Sequence, residues 1–150
     1  MNNTALVTSS PVNESLLAPQ DQLKFMLAGN ATFTLRSEKT GKRYTYKIQK
    51  AKNGGVWFVK LLTGPDNQSS YTYLGMIKNN RFSLTSKSRL TLDSAPVAGI
   101  EWFVRKNAQG TSASSVQMFH AGRCGRCNRV LTVPESLAAG IGPECSKYIM

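Results

Sequence analysis

The chain's three cysteines, Cys124, Cys127 and Cys145, lie close together, and its single histidine, His120, stands just ahead of them. Two thiolates separated by two residues can grip one tetrahedral ion from a tight turn, and Gly122 and Gly125 supply the backbone freedom such a turn needs. An odd cysteine count leaves one thiol over in any closed disulfide framework. A neutral imidazole nitrogen from His120 completes a set of four, so the expectation is one structural Zn2+ held by His120, Cys124, Cys127 and Cys145. Four filled positions leave no place for the water that a catalytic zinc activates. A thioredoxin-like redox pair would sit at a strand-to-helix turn without a third cysteine and a histidine. The zinc deaminase signature is also excluded, because Gly122 stands where it needs a Glu after the histidine, and Arg123 precedes Cys124 where it needs a Pro.

The residues between the thiols read as the rest of a small module. Leu131 and Leu137 offer a mini-core, Pro134-Glu135-Ser136 opens a helical turn, and Gly140-Ile141-Gly142-Pro143 bends the chain to return Cys145 to the metal. So short a segment buries too little apolar surface to fold without its ion.

The string His120-Ala-Gly-Arg-Cys124-Gly-Arg-Cys127, followed by Arg129, Leu131-Thr132, Pro134-Glu135-Ser136, Gly140 to Pro143 and Cys145, resembles a family of small zinc-knuckle modules in phage and prophage proteins, also found appended to helicase-like ATPases. The resemblance implies a phage setting and a zinc fold rather than a particular activity.

Upstream, the apolar period is two. Phe33 and Leu35 alternate with Thr32, Thr34 and Arg36, and Tyr44, Tyr46 and Ile48 alternate with Thr45, Lys47 and Gln49. Thr40-Gly41, Asn53-Gly54-Gly55, Gly64-Pro65-Asp66-Asn67 and Asn79-Asn80 punctuate runs at Val56 to Leu62, Tyr71 to Ile77 and Arg81 to Thr85. Ser94-Ala95-Pro96 then starts a helix with Val97, Ile100, Phe103 and Val104 at helical spacing. Asp21 caps a shorter helix, or a strand, through Leu27. The fold class is α+β: an antiparallel five-stranded sheet, open or curled into a small barrel, with one packed helix and a C-terminal structural zinc knuckle. The expected organisation is a flexible leader over 1–20, the sheet and helix over 21–110, and the knuckle over 111–150.

Nineteen Lys and Arg against eight Asp and Glu leave a formal charge of +11, which favours polyanionic partners and excludes DNA mimicry. Arg123, Arg126 and Arg129 recur every third residue around the knuckle, a spacing suited to phosphates. Arg43 and Lys47 share the strand face opposite Tyr44 and Tyr46, which the alternation assigns to the core. Trp102, beside Arg105 and Lys106, falls off its helix's apolar stripe and is the aromatic expected at the surface. These eight residues are the expected partner contacts. The function expected is a phage-type accessory protein that binds single-stranded DNA or RNA, or a nucleoprotein machine. The alternative is an inhibitor or adaptor that binds a host protein through the same Trp and Arg anchors. No enzyme is expected: the acids are scattered, the histidine is assigned to zinc, and no phosphate-cradling Gly-Lys-Ser/Thr loop is present. The apolar runs at 56–62 and 97–104 are broken by Lys60 and Glu101 and are too short to span a bilayer. The leader lacks a basic n-region and an apolar core, so the expected location is the cytoplasm, that of the host for a phage protein.

Overall fold

The computed structural model describes residues 15–64, 70–111 and 115–148. Residues 65–67 of the expected breaker and most of the leader lie outside these residues. Seven strands form one sheet: β1 (Ser15–Leu16), β2 (Asn30–Ser37), β3 (Arg43–Lys50), β4 (Trp57–Leu62), β5 (Tyr71–Lys78), β6 (Arg81–Ser83) and β7 (Val116–His120). Their order is β1-β7-β2-β3-β4-β5-β6, with every neighbouring pair antiparallel. The class is therefore α+β as expected, but with seven strands in place of five and two unpaired edges in place of a closed barrel.

From β2 to β6 the strands follow one another as a meander. Tight turns make this possible: Asn79 and Asn80 both adopt left-handed backbone (φ 54° and 60°), the conformation that suits a two-residue hairpin to the twist of its strands. The register sets Ala31, Phe33 and Leu35 opposite Ile48, Tyr46 and Tyr44, so one face of the sheet is apolar. Between β4 and β5 the register shifts at Val59/Lys60, and this bulge turns both Leu74 and Gly75 to the buried side.

Helices α1 (Pro19–Met26) and α2 (Ala95–Ala108) cover that apolar face. Both begin with Pro near the first helical position, where its missing N–H costs nothing. In α2, Val97, Ile100, Phe103 and Val104 are fully buried, as their spacing requires. Tyr46 anchors this helix by donating its hydroxyl to the Pro96 carbonyl at 2.6 Å, and its burial pushes the phenol pKa far above the ordinary value. Helix α1 starts two residues ahead of the expected Asp21 cap and sets Phe25 edge-on to Phe33, with ring centroids 6.4 Å apart.

The boundary expected at 110/111 precedes a strand that belongs to the sheet. β7 inserts between β1 and β2, pairing Phe33 with His120 and Leu35 with Met118. β1 and the start of α1 likewise give regular structure to residues within the expected 1–20 leader. Cys124, Leu131, Ile141 and Cys145 join the same hydrophobic core as Phe25, Phe33 and Tyr46. A short helix, α3 (Pro134–Ala139), and a 3-10 turn (Cys145–Tyr148) complete the chain's regular elements.

Candidate metal centre

Beyond β7 the chain doubles back on itself. Cys124 N–H donates to Arg129 O at 2.8 Å, Asn128 N–H to Cys124 O at 2.9 Å and Leu131 N–H to Gly122 O at 2.7 Å. Asn128 supplies the left-handed residue (φ 68°) that closes this knuckle. Helix α3 ends on Gly140, whose carbonyl accepts from Gly125 N–H at 2.9 Å, and the following bend delivers Cys145. The bend and the knuckle therefore meet at the thiols.

The sulfur atoms of Cys124, Cys127 and Cys145 lie within 4.8 Å of one another, and all three cysteines are free. Tetrahedral thiolates bonded to one ion at the usual Zn–S distance of about 2.3 Å stand about 3.8 Å apart, so the sulfurs need draw together by at most about 1 Å. Main-chain dipoles already favour a thiolate here: the N–H groups of Gly142 and Arg126 each point at Cys124 Sγ from 3.4 Å. Burial raises the Cys124 pKa, but these donors, the Cys127 N–H and the Cys145 thiol outweigh it and bring the value down to about 7. Burial pushes the Cys145 thiol up, partly offset by the Arg126 guanidinium, whose Nη1 donates to its sulfur at 3.6 Å. Donor type, spacing and electrostatics thus fit a thiophilic metal ion.

His120, the fourth ligand expected, lies outside this group of three. It sits on the core side of β7, 1% exposed, with its ring 5.5 Å from that of Phe25. Nδ1 accepts the Gly122 N–H at 3.0 Å, so Nε2 carries the proton and donates it to Leu137 O at 2.7 Å. Both ring nitrogens are occupied by the main chain, and burial lowers the imidazole pKa, keeping it neutral. The histidine ties β7 to the end of α3. Among the described residues the metal group therefore has three donors. Replacing His120 with Ala is expected to lower stability by about 2–4 kcal/mol, from an orphaned carbonyl and a cavity. Metal content per chain, measured on the purified variant, should stay unchanged, and loss of the ion would restore His120 as a ligand.

The expected partner contacts are spread over three surfaces. On the knuckle, Arg129 is exposed, Arg123 donates to Asn128 O at 3.0 Å, and Arg126 is engaged with Cys145. On α2, Arg105 pairs with Glu101 at 3.2 Å and Lys106 lies half-buried in the last turn. Trp102, expected at the surface, is instead half-buried and packs against the core. Arg43 and Lys47 lie on the sheet face that no helix covers, as the alternation indicates.

That uncovered face is the surface the sequence reading did not assemble. By register it displays Arg36, Arg43, Lys47 and Lys60 together with Phe58, Tyr71, Tyr73 and Phe119. Cations and rings alternate in contact: Arg43 lies 5.7 Å from the centre of the Phe119 ring and Lys47 4.7 Å from that of Tyr71. Arg36 and Lys60 donate to the neutral amides of Gln117 and Gln49. None of the described carboxylates stands on these strands, since Asp21, Asp93 and Glu101 are on or beside the helices, Glu38 is in a turn, and Glu135 and Glu144 flank the thiols. Only the pairing order, with β7 returning beside β2, brings Phe119 into this set.

Among the described residues no helix is long and apolar enough to cross a membrane. Residues 119–149 match the model of a family of unknown function, DUF6011, so the likeness spans the thiol-bearing module and the end of β7. No curated protein and no solved structure matches the chain.

Proposed function

We propose that this is a phage-type accessory protein of the host cytoplasm that binds single-stranded nucleic acid on the uncovered face of its sheet, with one structural zinc ion held by Cys124, Cys127 and Cys145. The observation that carries the reading is the composition of that face: four cations interleaved with four aromatic rings and no described carboxylate. A flat array of cations meets phosphates, while rings offer stacking surfaces that any base can use. Zinc suits three thiolates on a tight knuckle with one further donor from outside the thiols completing its four positions, and so held it acts as a clamp on the fold. A binding role is favoured over catalysis because the single histidine has both nitrogens taken by the main chain, leaving the thiols without a neighbouring imidazole base.

If the four cations each displace one phosphate counterion, affinity for a single strand falls with a log–log salt slope of about −3, or roughly fiftyfold between 50 and 200 mM salt. Fluorescence anisotropy with single-stranded DNA and RNA at both salt concentrations measures this. A combined Arg43→Glu, Lys47→Glu, Lys60→Glu variant should lose binding while retaining its circular dichroism spectrum and metal. Absence of binding to either polymer at low salt overturns the reading in favour of a host-protein inhibitor, for which a stoichiometric complex with one host protein is the corresponding test.

A further inference from the structure

The uncovered face does not end flat. Beyond β6 the chain turns back over the end of β5 and forms a hollow of about 640 Å3 whose walls include Phe58, Lys60, Tyr73, Ser86, Lys87 and Arg89. The floor is aromatic: the Phe58 and Tyr73 rings are 6.3 Å apart and inclined at 58°, and Phe58 remains 39% exposed although it is a large apolar side chain. The rim is cationic, with Lys60 from β4 and Lys87 and Arg89 from the turn, and among the described residues no carboxylate lines it.

The turn that forms this rim is held in place before any ligand arrives. Ser88 Oγ accepts the Thr85 N–H at 2.9 Å, Ser88 N–H donates to Thr85 O at 3.0 Å, and Lys87 N–H reaches Thr85 Oγ1 at 3.3 Å. Thr85 Oγ1 in turn donates to the Tyr73 hydroxyl at 3.2 Å. The turn is thus fastened to the ring that it faces, and Lys87 and Arg89 extend from a preformed loop with exposed side chains. Little ordering remains to be done on binding, which favours affinity.

From this we propose that the hollow formed by Phe58, Tyr73, Lys60, Lys87 and Arg89 is a subsite for one unstacked nucleotide of the bound strand, with its base against Phe58 and Tyr73 and its phosphate between Lys60, Lys87 and Arg89. It rests on the single-strand reading above and adds a position where the base itself is gripped. The volume lies in the ordinary range of small-molecule sites and exceeds that of one nucleotide. A ring pair on one wall with cations on the rim matches the two ends of a nucleotide, an apolar plate and a dianionic or monoanionic phosphate.

The test compares an intact single-stranded oligonucleotide with one of equal length that is abasic throughout its centre, on the wild-type chain and on Phe58→Ala and Arg89→Ala. Phe58 is partly exposed, so its replacement should lower the thermal midpoint only modestly and leave the circular dichroism spectrum unchanged. Wild type should bind the abasic strand about five- to a hundredfold more weakly. Phe58→Ala should bind the intact strand more weakly and distinguish the two less than wild type does, while Arg89→Ala should weaken both. Equal binding of intact and abasic strands by wild type overturns the subsite while the salt-dependent contact of the face stands. No binding of either strand overturns the single-strand reading itself. A fourth arm uses free ATP: saturation of the hollow by the mononucleotide without any strand binding would assign it to a soluble nucleotide and likewise overturn the proposal.

Discussion

Removing the metal is expected to destabilise the whole described fold, not only the segment that carries the thiols. Zinc binding to short thiol-bearing modules is worth about 10–16 kcal/mol, which equals or exceeds the total stability of most domains. The loss cannot remain local, because His120 and Met118 pair with Phe33 and Leu35 in the sheet and Cys124 and Cys145 lie in the common core. Chelation should lower the thermal midpoint by roughly 10 °C or more, using about 2–4 °C per kcal/mol for a chain of this size. Hydrogen exchange should show amides of β2 and β7 losing protection together with the knuckle. Cys127 is the sharpest single probe. It is exposed, so as a packing residue its replacement by Ser would cost almost nothing. As a ligand it should cost as much as Cys124→Ser or Cys145→Ser, and a silent Cys127→Ser would remove it from the metal set.

Gly140→Ala should be among the most damaging conservative changes outside the thiols. Gly140 has φ +74°, which costs an L-residue about 1–2 kcal/mol. A Cβ there would stand 2.5 Å from Phe25 Cδ1 and 3.3 Å from Leu17 Cδ2. Phe25 is fully buried and has no free space to retreat into. Overpacking adds about 1–3 kcal/mol, for a total near 2–5 kcal/mol and a midpoint lowered by roughly 4–20 °C. Gly110→Ala is the matched control: its φ is +73° but nothing lies within 4 Å, so only the backbone cost should appear. A double variant with Phe25→Leu should recover part of the Gly140→Ala loss, and strict additivity would mean that the ring is not the obstacle.

The metal group was legible because thiols are rare and their spacing is short-range, so Cys124, Cys127 and Cys145 declare themselves without any knowledge of the sheet. The same holds for α2, where Val97, Ile100, Phe103 and Val104 carry an undisturbed helical period. His120 shows what sequence spacing alone leaves out. Its nearness to Cys124 in sequence suggested a ligand, whereas strand alternation turns it to the core, and its nitrogens are satisfied by Gly122 and by Leu137, seventeen residues away. β7 escaped because its pattern is inverted at two positions: Phe119 is apolar on the uncovered face and His120 polar on the buried one, which cancels the period of two. β1 has only two residues and no period to show. Gly125, read as a hinge for the knuckle, is required for a different reason: a Cβ there would fall 2.8 Å from the Phe25 ring. That contact joins residues from two distant parts of the chain and leaves no local signal.

The insertion of β7 between β1 and β2 also sets a schedule. Arg36 and its sheet partner Gln117 are 81 residues apart, so a chain growing at about 5–20 residues per second exposes the unpaired edge of β2 for roughly 4–16 s. During that interval Phe33 and Leu35 lack both their neighbouring strand and the thiol module that seals the core. An exposed strand edge beside apolar side chains is a template for association between chains. On the proposed reading, metal supply during synthesis governs yield as well as stability, because the strand that covers this edge is held in place by the element the ion would assemble.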